Sequence, residues 1–264
     1  MSESEKWRTA CIITIGNELL KGRTVNTNFS EIARMLTDHG VEVTSGLVVM
    51  DTPESIGWAI TTALLFCDII VTSGGLGPTF DDMTLASIGK ALGLNMVENK
   101  EALALLMGRL EKMHLELTES RRKMAVFPEG SEIIPNTVGS APGMLLKHEG
   151  RIIISLPGVP SEMRTMMASV IPSITDHGFH YFDDSITFPG VMESQLAPFV
   201  TDIMRRPGNL AYIKSHPLQA EDRNPGIKVE VSAMTESPAK SREIVESTLN
   251  EVKEIVRKIL SLET

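Results

Sequence analysis

The chain has 264 residues, 42% hydrophobic and 22% charged, with 25 basic against 34 acidic side chains and a net charge of −9. That length suggests about two domains, and the composition supplies a sizeable core. The acidic balance argues against a nucleic-acid partner, which calls for a basic face, and the short cluster Arg121-Arg122-Lys123 reads first as a solvated face.

Residues 10–15, Ala-Cys-Ile-Ile-Thr-Ile, read as a buried strand that Gly16 ends. A helix follows over about 28–39, with Phe29, Ile32, Ala33 and Leu36 at helical spacing and Gly40 as its stop. Val41 to Val49 reads as a second strand. Pro53 opens a second helix carrying Ile56, Ala59, Ile60, Ala63 and Leu64 on one face. Residues 68–72 are a third strand, and the helix after it turns Leu85, Ile88 and Leu92 inward and stops at Gly93. A longer helix is expected over about 99–117, then a β-rich stretch over 131–156. Pro160 fits the first position of another helix, whose Met163, Met166, Met167 and Val170 read as core packing.

Past about 175 the pattern changes. Strands near 185–189, 209–215 and 227–234 and helices near 193–205 and 238–261 form a βαββα unit. The expected domains are therefore 1–174 and 175–264. The polar loop 217–226 is expected to be mobile, and His216 to be structural or solvated. No run is apolar for long enough to span a bilayer, and the first residues lack the apolar core of a signal peptide. Cys11 and Cys67, among apolar neighbours, read as reduced core thiols of a cytoplasmic protein.

Strands alternating with helices imply a layered α/β domain with a mostly parallel sheet, and such sheets take ligands at the carboxyl ends of their strands. The turns after the first three strands then share one rim carrying Gly16, Glu18, Asp51 and the segment from Ser73 to Asp82. Gly74, Gly75 and Gly77 let a ligand approach the backbone N–H groups closely, as phosphate-binding loops do. Asp51 and Asp82 are candidate ligands for a divalent metal (Mg, Mn or Co), and Glu18 a further ligand or a base. Each residue also has a plainer reading. Asp82 caps the following helix, Asp51 caps the helix at Pro53, Asp81 is a solvated acid, Glu18 makes an internal hydrogen bond, and Asn28 begins its helix.

Six segments together carry a resemblance. They are Ile15 to Gly22, Val25 to Asn28, Thr72 to Thr84, Phe127 to Gly130, Pro135 to Gly143 and Leu156 to Met163. In this order they resemble the N-terminal part of the CinA (competence/damage-inducible protein A) family, a region similar to the molybdopterin-binding domain of MoaB and MogA. The resemblance covers about 10–170, and the βαββα tail resembles the small domain that follows in CinA proteins. It implies a three-layer α/β fold holding a phosphorylated ligand, ADP-ribose or a pterin, on the strand-end rim. Gly16, Asn26, Asn28, Ser73, Gly74, Gly75, Gly77, Asp81, Ser140 and Gly158 are its candidate contacts, and Asp82, Asp51 and Glu18 its catalytic candidates.

In CinA proteins this region is linked to metal-dependent ADP-ribose pyrophosphatase activity, and in MoaB and MogA it binds molybdopterin. The expectation drawn is hydrolysis of a nucleotide diphosphate, with a molybdopterin- or nucleotide-binding module that does not hydrolyse as the alternative. A homo-oligomer, dimer or trimer, is expected, without the nicotinamide-nucleotide amidase domain that completes many CinA proteins. Two residues depart from the family pattern. Phe80 stands where a basic residue is expected, and Asn17 where a small hydroxyl residue is common.

Overall fold

The structure is a computed structural model that describes residues 8–175, 178–218 and 226–261. Contacts divide the chain into two compact units, one of 1–37 with 41–176 and one of 38–40 with 177–264.

The first unit is built on a six-stranded sheet in the order β2-β1-β3-β8-β7-β6. Strands β1 (Thr9–Ile15), β2 (Glu42–Val49), β3 (Ile69–Ser73) and β8 (Arg151–Leu156) run parallel, β7 (Gly143–His148) is antiparallel to β8, and β6 (Glu132–Ile134) is antiparallel to β7 and so runs with the other four. The strand β3 is buried at every residue, which its unbroken apolar run requires of a central strand covered on both faces. Helices α3 (Pro53–Ala63), α4 (Thr84–Leu92) and α5 (Lys100–Lys112) cover one face, packing Ile56, Ile88 and Leu106 against Cys11, Ile13 and Ile70. Helices α2 (Thr27–Asp38) and α7 (Pro160–Ile174) cover the other, where Ile32, Leu36, Met163 and Met167 meet Ile12, Val71 and Ile154. The result is a three-layer α/β domain, and the methionines of α7 are core.

The second unit has a three-stranded antiparallel sheet, β10 (Ala211–Pro217), β11 (Gly226–Thr235) and β9 (His180–Pro189), with α8 (Glu193–Met204) and α9 (Pro238–Ser261) packed on it. Its core is Ile213, Val229 and Val231 against Leu196, Val245, Leu249 and Val252. His216 lies 4.0 Å from Glu230 with both half-exposed, a solvated pair. Of the polar loop expected at 217–226, residues 219–225 lie outside the described residues.

Several elements differ from the sequence reading. Helix α5 stops at Lys112 because His114 takes a left-handed φ of 53°, which breaks the run expected to reach 117. A four-residue helix, α6 (Glu119–Arg122), follows it. Strand β9 starts at His180, five residues early, because it pairs with β11 along its whole length. The short ladder of β4 (Met96–Glu98) and β5 (Val126–Pro128) and the single-turn α1 (Asn17–Leu20) carry too few residues for any periodicity. Finally, Asp82 does not cap α4. Met83 holds that position without a side-chain hydrogen bond, and the Asp82 carboxylate is engaged elsewhere.

Candidate functional site

The four parallel strands end together, and hydrogen bonds between their exits stitch the rim. Gly16 N donates to Val49 O at 3.1 Å and Gly74 N to Leu156 O at 3.0 Å. The glycines at these exits are needed for close approach. A Cβ on Gly74, where φ is 115°, would sit 2.3 Å from Ile15 O, and one on Gly75, where φ is 69°, would sit 2.3 Å from Thr84 Oγ1. Because Gly74 N is already bonded, the loop offers the N–H groups of Gly75, Leu76 and Gly77, which no hydrogen bond among the described residues uses.

These exits enclose a cavity of about 330 Å³, bordered by Gly16, Glu18, Asp51, Gly74 to Gly77, Thr79, Asp81, Asp82 and Pro157 to Val159. A smaller cavity of about 110 Å³ adjoins it through the shared residues Ile15, Glu18 and Gly158, and takes in Thr14, Asn26, Asn28 and Ser73. The structure therefore gathers Gly16, Glu18, Asp51, Asp81, Asp82, the glycine loop and Gly158 around one cavity, and Asn26, Asn28 and Ser73 around its neighbour. Ser140 borders neither. Its loop is held by Asn136, which donates to Ala141 O at 2.9 Å and to the Glu162 carboxylate at 2.6 Å and accepts from Gly139 N at 2.7 Å.

Two carboxylates lie over glycines. A Cβ on Gly16 would be 2.4 Å from Glu18 Oε1, and one on Gly77 would be 2.6 Å from Asp82 Oδ2. Asp82 Oδ2 accepts from Thr79 N at 2.8 Å and Thr79 Oγ1 at 2.7 Å, closing a turn back onto the loop. Lys123 Nζ reaches over from a 3-10 turn to the carbonyls of Thr79 and Asp82. The Thr79 hydroxyl holds Asp81 below the ordinary carboxylate range, helped by the Asp81 backbone amide and more weakly by Lys123.

Asp51 behaves in the opposite way. It does not cap α3, where Thr52 accepts from Ser55 N; instead Asp51 Oδ2 accepts from Asn17 N at 2.9 Å. Burial pushes its carboxyl above the ordinary range against that hydrogen bond, and the charges of Glu18 and Asp81 push the same way. The Glu18 carboxylate has no hydrogen-bond partner among those described, so the internal bond expected of it is absent there. No lysine or arginine borders the larger cavity, so four carboxylates face it without a cationic side chain.

Asn26 caps α2, accepting from Phe29 N at 3.2 Å and donating to Thr14 Oγ1 at 2.8 Å. Asn28, only 8% exposed, donates through Nδ2 to Ser73 Oγ at 2.8 Å and Gly158 O at 2.9 Å, and its buried Oδ1 has no partner. Sequence reasoning missed Thr79 and Val159, and saw Lys123 only as part of the basic cluster at 121–123. The Thr-x-x-Asp spacing at 79–82 signals a local turn, whereas Lys123 is 41 residues from Asp82 and nothing in the sequence links them.

Fold and cavity together define an open α/β domain whose cavity lies at the strand-end rim, where such sheets take small molecules. Residues 11–176 match the family described as "Probable molybdopterin binding domain", and the chain belongs to that family. A relative from Caldivirga maquilingensis is 42% identical over 252 residues, covering 96% of this chain and 95% of its own. One from Thermoplasma volcanium is 44% identical over 253 residues, covering 96% of this chain and 98% of its own. Among solved structures, a CinA protein of unknown function from Thermoplasma acidophilum superposes with a TM-score of 0.61 at 45% identity, covering 64% of this chain and 98% of that one. Among the described residues no helix is long and apolar enough to cross a membrane.

Proposed function

We propose that this protein binds a phosphorylated small molecule of the pterin type, molybdopterin being the specific candidate, at the strand-end rim. The observation that carries this reading is the cavity of about 330 Å³ bordered by the unused N–H groups of Gly75, Leu76 and Gly77. The phosphate occupies that loop, and the rest of the ligand extends past Gly158 toward Asn28 and Ser73. Membership of the molybdopterin-binding family supports the same class of ligand. Calorimetric titration with molybdopterin tests it: saturable binding to one site per chain is expected, and no heat of binding at any concentration overturns it.

A second reading is favoured by the four carboxylates that border the cavity, whose lining includes no lysine or arginine. Such a lining attracts a cation before it accepts an anion. In this reading the protein hydrolyses a nucleotide diphosphate such as ADP-ribose with a divalent ion. No three His, Cys, Asp or Glu side chains among the described residues close on one point as a protein metal cage requires. Asp51 and Asp82, which border the same cavity, would hold such an ion with water and the ligand's phosphate oxygens completing its shell, the kind of site Mg²⁺ takes. The ion, when bound, neutralises the diphosphate and acidifies a coordinated water. Glu18, with no hydrogen-bond partner among the described residues, would take the proton from that water. Incubation with ADP-ribose and Mg²⁺, Mn²⁺ or Co²⁺ releases AMP if this holds; no AMP with any of the three sinks it.

A further inference from the structure

Phe80 is 91% exposed, the most exposed large apolar side chain among the described residues. It stands between Thr79 and Asp81, both of which border the larger cavity. The turn that carries it is held at several points: Asp82 N donates to Thr79 O at 3.2 Å, Thr79 N to Asp82 Oδ2 at 2.8 Å, and Lys123 Nζ to the carbonyls of both. A turn held at these points therefore carries a bare ring, outside the lining itself, between two residues that border the acid-lined cavity. Exposing a phenyl ring is unfavourable, and the described residues leave this one almost wholly uncovered. Two other apolar side chains stand nearby on the rim. Val159, half-exposed, borders the same cavity, and Val25, 81% exposed, borders the smaller one. Three exposed apolar side chains thus stand among the polar groups of the site.

We infer that Phe80 is the platform on which the planar heteroaromatic ring of the ligand stacks while its phosphate end occupies the glycine loop. This rests on the phosphorylated-ligand reading above and adds to it a requirement for an aromatic ring. Pterin and purine share that chemistry, since each offers a planar π-face to an offset phenyl ring. Phe80 sets specificity and takes no part in any bond-making step.

The test compares wild-type protein with Phe80→Leu, which keeps apolar bulk and removes the ring at an exposed position where folding is not at stake. Each is titrated with a phosphorylated pterin, with ADP-ribose and with inorganic pyrophosphate, which has no ring. Phe80→Leu is expected to bind whichever ring-bearing ligand the wild type takes about tenfold more weakly, as loss of one stacked ring predicts. Pyrophosphate affinity stays unchanged. The two ring-bearing ligands separate pterin from purine. A Phe80→Trp variant should show indole emission, above the wild-type background, quenched by the ring-bearing ligand and not by pyrophosphate. Equal affinity of wild type and Phe80→Leu for the ring-bearing ligand overturns the inference and leaves the phosphorylated-ligand reading standing. An equal loss for pyrophosphate overturns it as well, since the effect would not be stacking. A fall in light-scattering mass with ligand affinity unchanged assigns Phe80 to a contact between copies and also overturns it. Wild-type protein that binds none of the three overturns the underlying reading together with this one.

Discussion

Asn28 and Gly158 are 130 residues apart in sequence and are joined by a 2.9 Å hydrogen bond from the Asn28 amide to the Gly158 carbonyl. The same Nδ2 donates to Ser73 Oγ, so one buried side chain ties the first turn of α2 to the exits of β3 and β8. Asn28→Leu leaves Gly158 O and Ser73 Oγ without this donor. It should destabilise the protein by about 2–4 kcal/mol, the scale of losing two hydrogen bonds at a buried polar group. Denaturant unfolding measures this, and a change below roughly 0.5 kcal/mol would show that the tie contributes nothing.

The Asp51 carboxylate is held above its ordinary pKa by burial first and by Glu18 and Asp81 after it. The folded protein therefore keeps this proton more tightly than the unfolded chain. The sign follows from linkage: stability falls as pH rises between the unfolded-state and folded-state values and stays lower above them. Asp51→Asn removes the charge, and the amide oxygen can still accept from Asn17 N. At neutral pH this variant should be more stable, by at most about 1 kcal/mol after solvent screening of a partly exposed group. Thermal unfolding at pH 4 and pH 7 measures it, with the gain over wild type larger at pH 7. If Asp51 also holds a divalent ion, the same variant loses metal-induced stabilisation, a trade of function for stability.

The layered architecture was legible because its signals are local and strong. The run Ile69-Ile70-Val71 announces a buried central strand, and Gly93 at a φ of 67° ends α4 where the sequence places the stop. The shared rim followed from topology alone, since parallel strands expose all their exits on one side. What stayed hidden depends on contacts distant in sequence. Lys123 reaches Thr79 and Asp82 across more than forty residues, and the pairing of Met96 with Pro128 rests on three residues a side. Asp82 has the look of a helix cap in sequence, yet the turn back to Thr79 takes its carboxylate instead. Ser140 is absent from both linings, and the Asn136 hydrogen bonds that shape its loop, to Ala141 O, Gly139 N and Glu162, are not visible in the order of the motifs.

Lys123 offers a test of how rigid the loop must be. Its ammonium donates to the Thr79 and Asp82 carbonyls at a partly exposed site, so Lys123→Met should lower global stability by less than about 1 kcal/mol. Its main effect should be local. Hydrogen exchange of the Thr79–Asp82 segment is expected to quicken, and affinity for a phosphorylated ligand to fall severalfold, because a mobile loop must be ordered on binding. Unchanged exchange in that segment would mean that Asp82 and Thr79 hold the turn without help.

Two neighbouring glycines of the cavity lining, Gly74 and Gly158, should respond to the same substitution in opposite ways. Gly74 has a φ of 115°, and an added Cβ would meet Ile15 O at 2.3 Å, a backbone atom that cannot move aside without displacing β1. Gly74→Ala should cost more than about 2 kcal/mol and shift the whole rim, combining backbone strain with a steric clash. At Gly158 the nearest neighbour of an added Cβ is the Gly74 Cα at 3.5 Å, an ordinary contact with open space beyond it. Gly158→Ala should leave stability within about 0.5 kcal/mol of wild type. Its methyl group would stand where the two cavities meet, so ligand affinity should fall while the fold is untouched. Paired unfolding and binding measurements separate the cases, and a Gly158→Ala protein that binds as the wild type does would show that no ligand passes between the two cavities.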